Sequence, residues 1–345
     1  MNKYLCFLSA FFSLFFLNIS CDSNDSNSSD TDTTTVVGKW SEFACDFIGN
    51  VRADASSFVI GEKLYVFGGY NGKTRFNDLY VIDFSSTSPG WTQLSSLDAK
   101  ADITDKASAD SARNLAAAFA IGEKGYICGG YNGRNYLKDF WEYNPSTDRW
   151  TQLQNFPGTP RYATYAFSAG TKGIVGGGCD GVNYPLDAYA FNPALKEWSQ
   201  VNSLSEGRAS AAVFAIDSHV FLVGGVNSEG YPSGFWKYDI NEESWLLKTF
   251  QASNSSSDTG DIKRQSAAAF VIDGKGYLTC GIRDKLLKST WEYDPVKDVW
   301  TEMADFTGYI RQGAIGASVH GRGMVLLGKG GFIYLDNVLE FLPKK

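Results

Sequence analysis

The chain has 345 residues, 20% charged, 43% apolar and 15% aromatic, with 36 glycines against 9 prolines. That balance excludes a disordered chain, a collagen and a small disulfide knot, and it leaves material for a large core. Thirty-one basic and 38 acidic residues give a net charge of −7, with no basic stripe to meet a phosphate backbone, so no nucleic-acid partner is expected.

Residues 1–21 carry one cation, Lys3, then an apolar run from Leu5 to Leu17, then Asn18-Ile19-Ser20-Cys21. The run is short for a membrane span and reads as a signal segment. A small residue directly before Cys21 resembles a bacterial lipoprotein signal. That resemblance implies cleavage ahead of Cys21 and a lipid on its thiol, although Asn18 stands where such signals usually carry Leu. An ordinary secretion signal with an incidental Cys21 is the alternative. Residues 22–37 begin with a Ser, Asn, Asp and Thr stretch holding four acids and no base, which reads as a solvated tether. The expected address is the bacterial cell envelope, as an outer-membrane lipoprotein facing the periplasm or the surface, touching the membrane through its N-terminal lipid only.

Beyond the tether, Cys45, Cys128, Cys179 and Cys280 remain. Cys128 and Cys280 sit in apolar runs where a small buried hydrophobe is the commoner role, so no essential bridge is expected.

One pattern then repeats six times. Arg52, Arg113, Arg161, Arg208, Arg264 and Arg311 are each followed seventeen residues later by a glycine: Gly69, Gly130, Gly178, Gly225, Gly281 and Gly328. In the first five copies a tryptophan follows 36–39 residues after the arginine: Trp91, Trp150, Trp198, Trp245 and Trp300. Between them lie alternating aromatics such as Trp141-Glu142-Tyr143 and Trp291-Glu292-Tyr293, one face of a half-buried strand. In copy six, Leu339-Glu340-Phe341 has four residues after it, so its last strand is missing. Trp40 precedes the first arginine and supplies the missing strand, closing a ring and removing exposed edges.

This arrangement resembles the kelch repeat, with residues 38–343 giving 51 residues per copy. The resemblance implies an all-β fold: a six-bladed kelch β-propeller of four-stranded antiparallel blades spanning residues 38–345, its last blade closed by the N-terminal strand near Trp40. Small first-strand residues, such as Ala116-Ala117-Ala118, suit a crowded axis.

On one face of such a disc lie the loops between second and third strands and the links between blades. Two links are long, Trp91 to Arg113 and Trp245 to Arg264. They follow blades one and four and are expected to face each other across the axis, as a functional rim or as tolerated drift. Tyr70, Arg75, Tyr131 and Arg134 flank the Asn-Gly turns of blades one and two, an aromatic and cationic platform of the kind sugars and carboxylates use. Arg161, followed by Tyr162, joins them as a candidate. Against this, Tyr136, Tyr184, Tyr231 and Tyr334 recur six places after the second glycine, which marks scaffold, and the shared register of the six arginines also suggests packing.

His219 and His320 fall in first-to-second-strand turns of non-adjacent blades, so the copper site of the kelch-type radical oxidases and His-dependent triads cannot be assembled. Gly323 to Gly330 imitates a phosphate loop, but Gly330 replaces the hydroxyl residue and four apolar residues fill a strand, so no nucleotide is expected. No metal or other cofactor is expected. The functional expectation is a non-catalytic binding module for a glycan or a protein on the loop-rich face. The alternative rests on resemblance to kelch-type sialic-acid epimerases, which implies a cofactor-free sugar mutarotase using carboxylate and arginine groups in a rim pocket.

Overall fold

The computed structural model describes residues 37–97, 101–102, 111–253 and 258–343. The signal segment with Cys21 and nearly all of the tether lie outside the described residues. Among the described residues no helix is long and apolar enough to cross a membrane.

Six four-stranded antiparallel blades form the β-propeller, the second extended at its outer edge by a short parallel strand. Blade one consists of Ser56–Ile60, Lys63–Phe67, Leu79–Asp83 and Trp91–Leu94. Blade two consists of Ala117–Ile121, Lys124–Tyr131, Tyr136–Asn144 and Arg149–Leu153. Blades three, four and five start at Tyr165–Ala169, Ala212–Ile216 and Ala268–Ile272 and follow the same meander. Blade six takes Ile315–Val319, Arg322–Leu326 and Val338–Leu342 from the end of the chain and its outermost strand, Lys39–Glu42, from the beginning.

The closure uses the register of the other blades. Trp40 stands opposite Phe341, as Trp150 stands opposite Tyr143 and Trp300 opposite Tyr293. Its indole Nε1 donates to the Ala304 carbonyl at 3.3 Å, just beyond the outer strand of blade five. Trp150 donates to Ser95 and Trp198 to Gln154 at the equivalent places.

The unvarying Arg-to-Gly spacing has a direct cause. Each glycine N–H donates to the carbonyl of the next blade's arginine, at 2.7–3.0 Å, and Gly328 donates back to Arg52 to complete the circle. These glycines have φ between +84° and +102°, and a Cβ on Gly69 would press on the Ala53 carbonyl and the Ala55 side chain. A second circle lies at the axis. Leu115, Ala163, Ser210, Ser266, Gly313 and Asp54 each donate an N–H to the preceding blade's residue in the set, at 2.8–3.0 Å, closing with Asp54 to Gly313. All six adopt a left-handed conformation, φ +53° to +62° in five blades other than one and +56° at Asp54.

The arginines are buried and belong to the framework. Each sends Nη1 to the carbonyl sixteen residues on, as Arg52 does to Gly68 and Arg311 to Leu327. In blades one to three a carboxylate 26 residues on completes a bidentate pair: Asp78, Asp139 and Asp187. Glu206 takes this part for Arg208, and Arg264 is held by Ser289 and the Asp261 carbonyl. Blade six has Asn337 at the carboxylate position. Its Oδ1 and Arg311 Nη2 are buried without a hydrogen-bond partner among the described residues. Asn337→Asp is therefore expected to raise stability by about 2 kcal/mol, the worth of a hydrogen bond to a charged group, read as a higher melting temperature at neutral pH.

Between blades, a first-strand phenylalanine fits over a second-strand glycine of the next blade: Phe58 on Gly125, Phe119 on Gly173, Phe214 on Gly276 and Phe270 on Gly323. At the seam between blades six and one the sizes reverse, with Ala317 and Leu64 in one core cluster. At the seam between blades three and four Phe167 instead packs in one cluster with Val220, so large and small residues alternate at five of the six seams.

The described parts of the two long links run along the outer edges of blades two and five, three blades apart in the ring. Ala101–Asp102 pairs in parallel with Trp150 and Thr151, and Gln251 to Ser253 bond to Trp300 in the same way. Each link covers an exposed strand edge, a structural need that its length alone does not reveal.

Candidate functional site

The start of each first strand and each second-to-third-strand loop meet on one face, because the residue after each arginine bridges to the residue after each glycine, as Ala53 does to Tyr70 and Asn114 to Tyr131. At the axis this face opens into a cavity of about 150 Å³ lined by the left-handed ring, including Asp54, Ser210, Ser266 and Gly313. Five positions of the ring hold Leu, Ala, Ser, Ser and Gly. Asp54 is its one charge.

Asp54 occupies a prepared place. A Cβ on Gly313 would overlap its carboxylate, although alanine is accepted at the aligned position in blade three, where Ala163 has φ +54°. The Asn114 side chain hydrogen-bonds Asp54, and its Oδ1 accepts from Arg75 Nε at 2.8 Å. Burial raises the Asp54 carboxyl above its ordinary value, against the opposing pull of Lys329, the Asn114 hydrogen bond and Arg75.

Arg75 lies against two rings, its Cζ 4.3 Å from the Tyr70 centroid and 4.6 Å from that of Tyr131. It stands where blades two, three, four and six carry Tyr136, Tyr184, Tyr231 and Tyr334, and it lies over Gly133 as Tyr334 lies over Gly72. Lys329 holds the position of Tyr70 and Tyr131 in blade six, its Nζ 5.8 Å from the Tyr334 ring. Tyr334 packs edge-on to Tyr70 at 6.4 Å. Burial, then Tyr70 and Asp54, raise its phenol, with Arg75 opposing. Blades six, one and two thus bring one acid, two cations, an amide and three tyrosines to one side of the mouth.

Of the residues singled out from sequence, Tyr70, Arg75 and Tyr131 come together here. Tyr162 is next to them, 6.4 Å from Tyr131 between centroids, and burial with a bond to Cys179 raises its phenol. Arg134 is exposed further out, beside Tyr136 and Asp180. Arg161 is enclosed within blade three, paired to Asp187 at 2.6 Å, and does not reach the surface. Asp54, Asn114 and Lys329 were not singled out. For Asp54 and Lys329 the signal is a charge in an aligned column where the other copies have none; Asn114 carries no such signal, since its column also holds Gln265 and Gln312.

Among the described residues both histidines lie away from this face, on the opposite side. His219, the first residue of the second strand of blade four, pairs with Asp239 at 3.2 Å, and His320, in the turn before the second strand of blade six, with Glu62 at 2.7 Å. Among the described residues no group of three or more His, Cys, Asp or Glu is placed to hold a metal, and the four cysteines are free. Gly323 to Leu326 lies in the second strand of blade six, and the stretch ends in a short hairpin of Lys329–Gly330 with Ile333–Tyr334.

Titration of Asp54 has a predictable sign. A carboxyl whose folded value is raised costs stability once pH exceeds the unfolded value, here 3.8, because the unfolded state ionises first. Asp54→Asn keeps the left-handed backbone, which asparagine tolerates. The variant is expected to melt higher than the parent at pH 7, with the difference closing below pH 3.8, in melting curves taken across pH.

A closed ring of six four-stranded blades with a pocket at the loop end of its axis defines a kelch-type β-propeller. The chain matches the KLHDC2/KLHL20/DRC7 Kelch-repeats domain over residues 19–225 and a Kelch motif over residues 207–247, and it belongs to the kelch-repeat family. It is 30% identical to human Kelch domain-containing protein 1 over 109 residues, 31% of this chain and only 25% of that protein's length. It is 25% identical to N-(sulfonatooxy)prop-2-enimidothioate sulfolyase of Thlaspi arvense over 305 residues, covering 80% of this chain and 69% of the relative. The solved structure of YjhT superposes with a TM-score of 0.69 at 15% identity, covering 87% of this chain and 99% of that one, a likeness of fold.

Proposed function

We propose that this propeller is a binding module for a carboxylated glycan, held at the mouth by blades six, one and two. The observation that carries the reading is Arg75 lying against Tyr70 and Tyr131, with Lys329 and Asp54 beside it. Tyrosine faces take the apolar side of a sugar ring, a guanidinium or ammonium takes its carboxylate, and Asn114 and Asp54 take hydroxyls. A neutral Asp54 accommodates an anion better than a charged one. Affinity for an acidic sugar therefore rises as pH falls through the raised titration of Asp54. The test is a glycan array followed by titration calorimetry, with Arg75→Ala and Lys329→Ala alongside. Selective retention of acidic sugars, lost in both variants, supports the reading; binding indifferent to both defeats it.

A second reading, sugar mutarotation, is favoured by the raised carboxyl of Asp54. Interconverting anomers requires a proton to leave the anomeric hydroxyl, the ring C–O bond to break and the ring oxygen to take up a proton. A carboxyl that titrates closer to neutrality performs such transfers well. NMR of freshly dissolved N-acetylneuraminate distinguishes the two: faster anomer equilibration that disappears in Asp54→Asn indicates catalysis, and an unchanged rate removes it.

The envelope address belongs to the same proposal, with the tether carrying a lipid on Cys21. Bacteria expressing the chain and fed labelled palmitate are expected to label it and retain it in the membrane fraction. Cys21→Ser is expected to lose both.

A further inference from the structure

We infer that the site is built for a carboxylated glycan of several units, entering at the channel mouth and continuing across blades two and three. This rests on the acidic-glycan reading above and extends it from a terminal sugar to its chain length. The mouth cavity of about 150 Å³ has room for little more than one charged terminal group. From it a chain of ring contacts leads outward: Tyr334 edge-on to Tyr70 at 6.4 Å, then Arg75 over Tyr70 and Tyr131 at 4.3 and 4.6 Å. The run continues from Tyr131 to Tyr136 at 5.3 Å and from Tyr136 to Tyr162 at 5.1 Å, the last pair stacked. Tyr136 is the ring of this run that opens onto the outer groove, and a sugar beyond the first finds its platform there.

The run ends at a groove of about 480 Å³, larger than the mouth, lined by Arg134, Tyr136, Thr159, Asp180, Val182 and Asn183. Tyr136 is 37% exposed and Val182 84% exposed, so this apolar surface faces solvent. Arg134 and Asp180 stand on its rim, a cation for a further carboxylate and an acceptor for hydroxyls. Two Asp180-capped backbone N–H groups, from Val182 and Asn183, fix that turn. An aromatic floor with polar edges is the composition of a sugar subsite, and a protein partner of similar size would meet few apolar anchors along it.

The probes are oligosialic acids and oligogalacturonides of one to four units, titrated against the folded propeller. Affinity is expected to climb about tenfold or more from one unit to three. Tyr136→Ala is expected to remove that gain while leaving the single sugar within about twofold, and Arg134→Ala to remove part of it. Equal affinity for every length, or a Tyr136→Ala effect equally large on the single sugar, overturns the inference while the terminal site stands. Failure of every acidic sugar to bind the unaltered protein overturns the parent reading, and this inference with it.

Discussion

Arg75→Tyr is expected to leave the propeller folded with an unchanged melting temperature and to weaken acidic-sugar binding by about 10- to 100-fold, the loss of one to two charge-assisted hydrogen bonds. The substitution restores the residue that Tyr136, Tyr184, Tyr231 and Tyr334 hold in four other blades. Gly133, which would collide with nothing but the Arg75 side chain if it carried a Cβ, leaves room for a ring there as Gly72 does for Tyr334. Fold and function therefore separate in this variant more cleanly than in an alanine variant, which removes packing as well. Calorimetry with a single acidic sugar, beside a melting curve, reads both. A variant that binds as tightly as the parent removes Arg75 from the site.

The second large effect is structural. Trp40→Ala is expected to cost about 3–5 kcal/mol, the usual range for truncating a buried aromatic, and to lower the melting temperature by roughly 10 °C. Trp40 is buried against Phe270, Phe306 and Phe341, with centroids at 5.8, 4.8 and 5.0 Å, and Nε1 also reaches Thr290 Oγ1 at 3.2 Å. The residue is far along the chain from all these partners, so it ties the two ends of the ring together. Its loss is expected to expose the outer edge of blade six to hydrogen exchange. A variant that melts with the parent contradicts the closure.

Much of this architecture was legible because repetition averages out local accident. The Arg-to-Gly spacing encodes two contacts at once, one within a blade and one to its neighbour, and neither tolerates an inserted residue. Trp40 was legible because a sixth copy lacked its last strand. The site was legible only in part. Tyr70, Arg75 and Tyr131 announce themselves beside Asn-Gly turns, but a search for repeated residues finds the framework, and Arg161 belongs to it. Asp54, Asn114 and Lys329 come from three blades and become neighbours only when the ring closes. The column holding Asp54 does contain the needed signal, a single carboxylate among Leu, Ala, Ser, Ser and Gly. The long links were legible as insertions on opposite blades, but length alone does not show that their described parts guard strand edges.

The most direct test of the account is amide hydrogen exchange of the propeller with and without a saturating acidic glycan from the array. Protection is expected at Asp54, Asn114, residues 70–75 and residues 328–334, with none in the turns around His219 and His320. Protection confined to the opposite face, or to blades three to five, would contradict it.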